Sequence, residues 1–571
     1  MSSCSFQSVI EVPELLLLIA EYLDTSDIVS CMATSKGLAR DLEPCLWRHL
    51  SLKSKAPSRE ALLRNRHHIR TFRVEKFYNG TSWRQHGAVC LGILADGLPL
   101  PSRPYGGRKV KPTKTALEDP LINPTPINLP PINLRSIDLP ICPRDDDVRR
   151  TLIENLGGIG HQSYRCLSAL TIPTWPLQQN PSRTLVSKHL LNYMPNLNRL
   201  TVGSGGFACL GTVGPFLIQC FSHPRLASLH CKFYIKAGFN DEKLRATFLS
   251  LADATRSKEG TEQSLIKDLR LPWTKRGYVN SILLPFLTVQ GPCLESMYVP
   301  MVSDAYDKQL VQTIDKFFPN LRHLSVAWDH REWLEDRTAI AMICGCTSGL
   351  KSYHSFLDMQ RCRRLTSDVI KPLVDHHFTT LEIVEFAYGE CDSDNQYLLL
   401  EKCPNLKRLW ISPGVNRAGL GKSIVCHRNI ADWVCLEIRE LGLTYEGERK
   451  HAVQAAELYT QIGRLVHLEY LAIGRSVFEP FTYEYDLTLH IGWLSKLDGL
   501  KKLRRLHITT DLWSHMAQNE VEFIHQNWPA LQIVSFGCGE QLFNATIRNS
   551  SHWRWLCEMR PWLRLVCGYH P

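Results

Sequence analysis

One pattern recurs through most of this 571-residue chain: L-x-x-L-x-[LIV], often preceded by Pro and Asn. Thirteen copies begin at residues 167, 197, 226, 266, 294, 321, 350, 381, 406, 438, 468, 503 and 531, among them LSALTI, LNRLTV, LRHLSV, LKRLWI and LQIVSF. Their mean spacing is about 30 residues, close to the range of repeat architectures. In each copy the fourth and sixth positions share one side of an extended chain, because side chains alternate across a strand. Helical periodicity fills the gaps. DKQLVQTIDKFF sets Leu310, Val311, Ile314 and Phe317 on one face, and HAVQAAELYTQIGRL does the same with Val453, Ala456, Leu458 and Ile462. One strand and one helix per repeat cannot enclose a core alone. Stacked repeats bury their leucines between neighbours and curve the array.

The first fifty residues read differently. Pro13 suits the first turn of a helix, where a missing N–H has no partner to lose. Leu15 to Leu23 continue it as a helix apolar nearly all round, which must be covered on several sides. DTSD then stops it and offers Ser26 or Asp27 as the next N-cap. Ile28, Val29, Met32 and Ala33 give a second helix its apolar face, Gly37 breaks it, and a third short helix follows, with Pro44 ahead of LWRHL. Three short helices bury little area by themselves and are expected to lean on a partner.

This stretch closely resembles the F-box, the adaptor-binding module of cullin–RING ubiquitin ligases. The matching residues are Pro13-Glu14, Ile19, Tyr22-Leu23-Asp24, Asp27-Ile28, Ser35-Lys36 and Pro44-x-Leu46-Trp47-Arg48. One departure is that Leu38 stands near the place where many members carry Trp. The resemblance implies that Val12, Pro13, Leu16, Ile19, Leu23, Ile28, Lys36, Leu46 and Trp47 serve the bundle and its contact with a Skp-type adaptor. The alternative reading is a small helical cap on the repeats. The repeats themselves resemble the irregular, ribonuclease-inhibitor-like leucine-rich repeats.

Composition narrows the field. The chain is 44% hydrophobic and 21% charged, as folded soluble proteins are. A formal net charge of +10 permits acidic partners without calling for nucleic acid. The 20 cysteines follow no metal or disulfide spacing. Cys220, Cys231 and Cys435 lie in apolar context, as reduced core thiols do. LLLLIA (15–20) is flanked by Glu11, Glu14 and Glu21, which does not suit a signal peptide. A cytoplasmic or nuclear protein, not a secreted one, is expected. The sequons at Asn79, Asn544 and Asn549 then stay unmodified. Prolines crowd residues 98–131, which forbids regular structure. GGRKVKPTK (106–114) within it reads as a solvated loop rather than a nuclear localisation patch.

Catalytic signatures are weak. Gly419, Gly421, Lys422 and Ser423 end like a phosphate-binding loop, yet the first glycine of that motif is replaced by Asn416. The preceding strand is a regular repeat, the next arrives on schedule at Ile438, and no strand-terminal Asp follows to hold magnesium. DSDN (392–395) lacks the glycine and later Glu of a calcium loop. His376-His377 closes a helical pattern, where imidazole suits the dipole. No H-E-x-x-H or G-x-S-x-G occurs.

The expected fold is therefore α/β: a three-helix F-box (8–52), a linker with a first irregular repeat (53–97), the Pro-rich insertion (98–131), a leucine-rich-repeat horseshoe with a parallel sheet on its concave face (132–545), and a C-terminal cap (546–571). The resemblance implies the substrate receptor of an SCF-type ligase, without catalytic residue, metal or cofactor, binding an adaptor and a protein target. A non-ubiquitinating scaffold and a basic repeat protein on nucleic acid are the other readings. The outward strand positions carry Arg199, Lys232, Arg270, Tyr298, His323, Arg408, Trp410, Tyr470, Arg505 and His507, with His230 and His354. Asp268, Glu385 and Glu440 stand against them. Exposed Trp or Tyr beside Arg is the composition of a binding hot spot, here for an acidic or phosphorylated segment. For the loop at 416–423 the expectation is definite. Lys422→Ala should leave the melting temperature unchanged, and calorimetry should find no saturable ATP or GTP binding to lose.

Overall fold

The computed structural model describes residues 13–20, 22–23, 25–52, 57–74, 90, 134–138, 167–172, 191, 194–203, 207–209, 216–217, 219–232, 234–236, 266–270, 273–274, 293–301, 318–328, 337–357, 369–387, 393–411, 431–445, 452–475, 489, 493–509, 516–537 and 543–567. Val12, the Pro-rich stretch, the helix expected over 307–317 and the loop 412–430 lie outside these residues. Two compact units divide the chain, Met1–Lys275 and Arg276–Pro571.

The first unit opens with three helices, α1 (Pro13–Ala20), α2 (Thr25–Thr34) and α3 (Lys36–Arg48). Pro13 takes the first position of α1, as its missing N–H favours. Thr25 already belongs to α2, so Ser26 and Asp27 lie in its first turn and neither caps it. The break before α3 falls at Ser35, not Gly37: Ser35 is extended and its hydroxyl accepts from the Leu38 N–H at 3.1 Å. Pro44 sits inside α3, which runs on to Arg48 and passes into the first strand at His49. Leu16, Ala20, Ile28, Leu42 and Cys45 form the core of this bundle, with Leu17, Leu23, Met32, Leu38 and Leu46 packed around it. Ser58 caps α4 (Arg59–Asn65) in the same way, accepting from Ala61 N–H at 3.2 Å.

Among the described residues ten strands follow in this unit: β1 (His49–Leu52), β2 (Thr71–Val74), β3 (Ser136–Asp138), β4 (Ala169–Ile172), β5 (Arg199–Val202), β6 (Phe207–Cys209), β7 (Ser228–Cys231), β8 (Tyr234–Lys236), β9 (Asp268–Arg270) and β10 (Trp273–Thr274). β1, β2, β3, β4, β5, β7 and β9 pair in that order, all parallel. β6, β8 and β10 form a second, smaller parallel sheet.

The second unit repeats the scheme with β11 (Ser296–Met301), β12 (His323–Trp328), β13 (Ser352–Leu357), β14 (Ile383–Ala387), β15 (Arg408–Ile411), β16 (Glu440–Tyr445), β17 (Tyr470–Arg475), β18 (Arg505–Thr509), β19 (Ile533–Gly537) and β20 (Arg564–Cys567). Each pairs in parallel with the next. Its helices are α5 (Arg337–Gly345), α6 (Ile370–His377), α7 (Ser393–Lys402), α8 (Ala452–Gly463), α9 (Gln518–Asn527) and α10 (Ser551–Met559). DSDN thus opens helix α7 rather than an ion-binding loop. Every one of the thirteen repeat copies becomes a strand that starts two residues after its first leucine. The fourth position of each repeat is buried: Leu324, Tyr353, Val384, Leu409, Leu441, Leu471, Leu506 and Val534 form one continuous row. Each such side chain contributes about 1.5–3 kcal/mol by leaving water.

Register is set by one backbone contact that recurs. In most repeats of the main sheets the carbonyl of the residue before the strand accepts two N–H groups from the next repeat. Arg322 O takes Lys351 N (2.7 Å) and Ser352 N (3.1 Å), and Lys351 O takes Glu382 N (2.8 Å) and Ile383 N (3.0 Å). Glu382, Lys407, Arg439, Glu469 and Arg504 repeat it, and so do Arg70, Arg135, Ser168, Asn198 and Ala227 in the first unit.

Two buried histidines tie repeats together. His377 Nε2–H donates to Ile343 O (2.8 Å), and its Nδ1 accepts from Leu350 N–H (3.2 Å). His223 does the same with Met194 O (2.9 Å) and Arg225 N–H (3.3 Å). The expected surface role of His377 at a helix dipole is therefore replaced by a neutral latch. Burial holds both imidazoles below the usual histidine range. An unfolded histidine takes its proton near pH 6.5, so the latches' contribution is whole above that pH and is lost as pH falls through the depressed folded values. The urea midpoint should accordingly drop between about pH 7.5 and 5. His377→Gln should cost about 1–3 kcal/mol at the higher pH and flatten that profile, read by urea denaturation at both.

Candidate functional site

Two surfaces concern function. The first is on the helical bundle. Of the residues singled out from sequence, Leu16 and Ile28 are core, Leu23 and Leu46 flank the core, and Trp47 is half-buried. Ile19 and Lys36 face solvent. Leu18 (55% exposed) and Tyr22 (91% exposed), with Ile19, crowd the end of α1, and Val29 stands exposed on α2. Four large apolar side chains on so small a module are a concentrated patch. Sequence reasoning named Tyr22 among the matching F-box residues and placed Val29 on the apolar face of the second helix, but assigned none of Leu18, Tyr22 and Val29 to adaptor contact. Their signal was present: α1 is apolar on more sides than its bundle can cover.

The second surface is the open face of the strands, opposite the leucine rows. In the second unit its side chains bond to their neighbours across the sheet. His354 Nδ1–H donates to Glu385 Oε2 at 2.7 Å. Arg408 Nε lies 2.7 Å from Glu385 Oε1 and 3.1 Å from Glu440 Oε2, held by charge rather than by an aligned hydrogen bond. Burial raises the Glu385 pKa, but the hydrogen bond from His354 and the charges of His354 and Arg408 outweigh it, leaving the carboxyl below its usual range. His323 Nδ1 and Ser352 Oγ share a hydrogen bond of 2.8 Å, as do His507 Nδ1 and Ser535 Oγ at 2.8 Å.

The aromatic residues of this face are covered, contrary to the exposure expected of them. Trp410 and Tyr470 are each 7% exposed, their rings 4.9 Å apart, with Ala472 in the same cluster. The reason is at Gly442, which pairs with Trp410 on one side and with Ala472 on the other. A Cβ there would come within 3.0 Å of the indole, so the glycine makes room for the ring to lie across the neighbouring strand. Tyr298 is also buried. His507 is 2% exposed, and burial lowers its pKa to about 4, so it is a neutral hydrogen-bonding group rather than a cation. Burial pushes the Tyr470 hydroxyl up to about 12. Arg505 alone of the second-unit group stands well exposed, with Arg408 and His323 half-buried.

In the first unit Arg199 and Lys232 are exposed and Arg270 is half-buried. Ser228, His230 and Asp268 meet here. The Ser228 hydroxyl (2.8 Å) and His230 Nε2–H (2.6 Å) both donate to Asp268 Oδ2. A nucleophilic triad needs the imidazole between carboxylate and hydroxyl, using its two nitrogens separately; this arrangement puts the carboxylate in the middle. Among the described residues no group of His, Cys, Asp and Glu could hold a metal ion. None of the described helices is long and apolar enough to cross a membrane. Cys220, Cys231 and Cys435 are free, buried thiols whose pKa burial raises.

Comparison with known proteins agrees with the N-terminal geometry. Residues 13–53 match the F-box-like family, and the chain begins with an F-box-like domain followed by leucine-rich repeats. No curated protein matches the sequence. Among solved structures, the Rad7 and Elc1 complex of yeast is similar at 14% identity and a TM-score of 0.40, over 74% of this chain and 85% of that one. The leucine-rich repeat-containing protein LegL7 from Legionella pneumophila is similar at 13% identity and a TM-score of 0.31, over 67% of this chain and 95% of that one.

The Gly442 seat gives a direct check. Gly442→Ala should cost about 1–3 kcal/mol by crowding the indole, and should change the near-ultraviolet circular dichroism of the Trp410–Tyr470 pair. Unchanged stability and spectrum would mean that the ring does not lie across β16.

Proposed function

We propose that this chain is the substrate-recognition subunit of an SCF-type (Skp–cullin–F-box) ubiquitin ligase. The observation that carries the proposal is the F-box-like domain with an uncovered apolar patch, Leu18, Ile19, Tyr22 and Val29. Burying such a patch against a partner stabilises by about 25 cal/mol per Å² before the costs of association. In this reading Ile19, Lys36 and the exposed apolar residues touch a Skp-type adaptor. Leu16, Leu23, Ile28, Leu46 and Trp47 shape and support that surface, and the F-box resemblance assigns Val12 and Pro13 to it.

The strand faces of the repeats then hold the target protein, the first unit's through Arg199, Lys232 and Arg270 and the second unit's through Arg408 and Arg505, with His323 as an uncharged donor and acceptor. Burial lowers the His323 pKa, and the neighbouring His354 and Lys351 charges lower it further. Tyr298, Trp410, Tyr470 and His507 form the covered floor of the second unit's face. The chain supplies no reacting group. It raises the effective concentration of the target beside an enzyme that carries ubiquitin.

Co-purification tests the first half. Leu18→Asp with Tyr22→Ala should lower adaptor recovery at least tenfold while the melting temperature of the repeats stays within a few degrees. Ile28→Ala should lower recovery less, by loosening the bundle. Full adaptor recovery by the Leu18/Tyr22 variant would sink the F-box reading. Cullin and a ubiquitinated protein in the same pull-down favour the receptor, adaptor without cullin favours a scaffold, and nuclease-sensitive material favours nucleic-acid binding.

A further inference from the structure

Twice among the described residues a glutamate on the open face of the second unit is held between cations of the two flanking repeats. Glu382, just before β14, lies 3.2 Å from Lys351 on one side and 2.7 Å from Lys407 on the other. Glu469, just before β17, lies 3.8 Å from both Arg439 and Arg504. In each triplet the carboxylate belongs to the middle repeat, and the cations precede the strands paired with it. Such a seat favours the charged carboxylate. The hydrogen bond from Lys407 outweighs desolvation at Glu382, and Lys351 adds to it, so that carboxyl stays below its usual range.

A third triplet lacks its middle member. Arg505 opens β18, Ile533 opens β19 and Arg564 opens β20, paired in register as Arg505 with Ile533 and Ile533 with Arg564. Both arginines are exposed and the isoleucine is half-buried. Among the described residues neither arginine makes a hydrogen bond or an ion pair. The carboxylates on the preceding strands are taken: Glu440 by Arg408 at 3.1 Å, and Glu469 by Arg439 and Arg504. Tyr470 pairs with Arg505 on its other side. Burial pushes the Tyr470 hydroxyl up to about 12 despite the Arg505 charge, so it remains a neutral phenol.

Two strand spacings set Arg505 and Arg564 ~9.6 Å apart at the backbone. The same interval separates Lys351 from Lys407 and Arg439 from Arg504, and each of those pairs meets on one carboxylate. Long cationic side chains therefore close this interval. Like charges facing each other on a sheet are unfavourable, and a carboxylate laid over Ile533 relieves them through charge-assisted hydrogen bonds. We infer that Arg505 and Arg564 form a seat over Ile533 for one glutamate side chain of a docked polypeptide, which takes the place that Glu382 and Glu469 hold in the internal triplets. This deepens the receptor reading and rests on it for the origin of that polypeptide, the target protein. Exposed ion pairs are individually weak, so the seat selects the residue at one position of the target and does not supply the whole affinity.

The test uses the full chain with isotope-labelled isoleucine methyl groups, so that the Ile533 methyl resonance reports on what lies over it. The probes are a blocked serine–glutamate–serine tripeptide, its glutamine counterpart, the same tripeptide with phosphoserine in place of glutamate, and the glutamine tripeptide with a free C-terminal carboxylate. The glutamate tripeptide should shift the Ile533 methyl saturably, bind about fivefold tighter than the glutamine one, and weaken as salt rises from roughly 50 to 200 mM. Arg505→Gln with Arg564→Gln should abolish that preference, and Arg439→Gln should leave it within twofold. If the double variant fails to fold, Arg564→Gln alone decides. A second measurement needs no ligand. Ile533→Glu should lower the melting temperature less in the unmodified chain than in the Arg505→Gln, Arg564→Gln background, because only the former pairs the new carboxylate. Equal binding of the glutamate and glutamine tripeptides, a preference that survives loss of the arginines, equal losses in the two backgrounds, or tighter binding of the phosphoserine or free-carboxylate probe would each overturn the inference. Loss of adaptor binding by the unmodified chain counts against the receptor reading; intact adaptor binding without tripeptide discrimination counts against this inference alone.

Discussion

The carbonyl that accepts two N–H groups from the following repeat is the contact on which the rest depends. It leaves no freedom for a neighbouring strand to slip by one residue. A slip of one would turn every leucine of that strand outward and every charge inward. With the step fixed, leucine meets leucine at 0% exposure from Leu441 to Leu471. The spacing between strands then becomes the unit of length for everything displayed on the other face. Polar side chains of moderate reach bond to the strand beside them, as His323 does to Ser352 and His354 to Glu385.

Where the regular pattern loosens, the surface changes character. A bundle as short as α1–α3 has too few positions to hide the apolar residues of α1, and Tyr22 is left almost wholly in water. A face whose charges interleave, as in the second unit, has largely met its electrostatic needs internally.

The strand starts were legible because the leucine spacing states both the element and its register. The strands β1, β3 and β20 were harder to read, since their repeats are short or fall at the margins of the periodic region. The β6–β8–β10 sheet has two- and three-residue strands with no repeat signature of their own. Helix ends were misplaced at Gly37 and Pro44, where residues usually read as breakers sit inside α3 because Ser35 supplies the cap and the bundle supplies the packing. Alternation assigned Trp410, Tyr470 and His507 to the outward face but could not report depth. For the aromatic pair that depth comes from Gly442, a residue whose lack of a side chain gives no hydrophobic signal. The exposure of Leu18 and Ile19 was hidden for a related reason: in a helix apolar nearly all round, periodicity does not distinguish core from contact.

The run Glu385–Arg408–Glu440 also bears on how this sequence can change over time. Each carboxylate stands beside the same guanidinium, on three successive strands. Replacing the arginine alone leaves two anions facing each other across a single strand, and replacing either glutamate alone leaves the arginine lopsided. Substitutions here are therefore coupled. Related sequences should keep all three charges, invert all three, or discharge the middle and both flanks together, and the intermediates should be rare. A comparison of relatives would then reveal these positions as a covarying set, although their separation along the chain, from 385 to 440, gives no hint that they are neighbours.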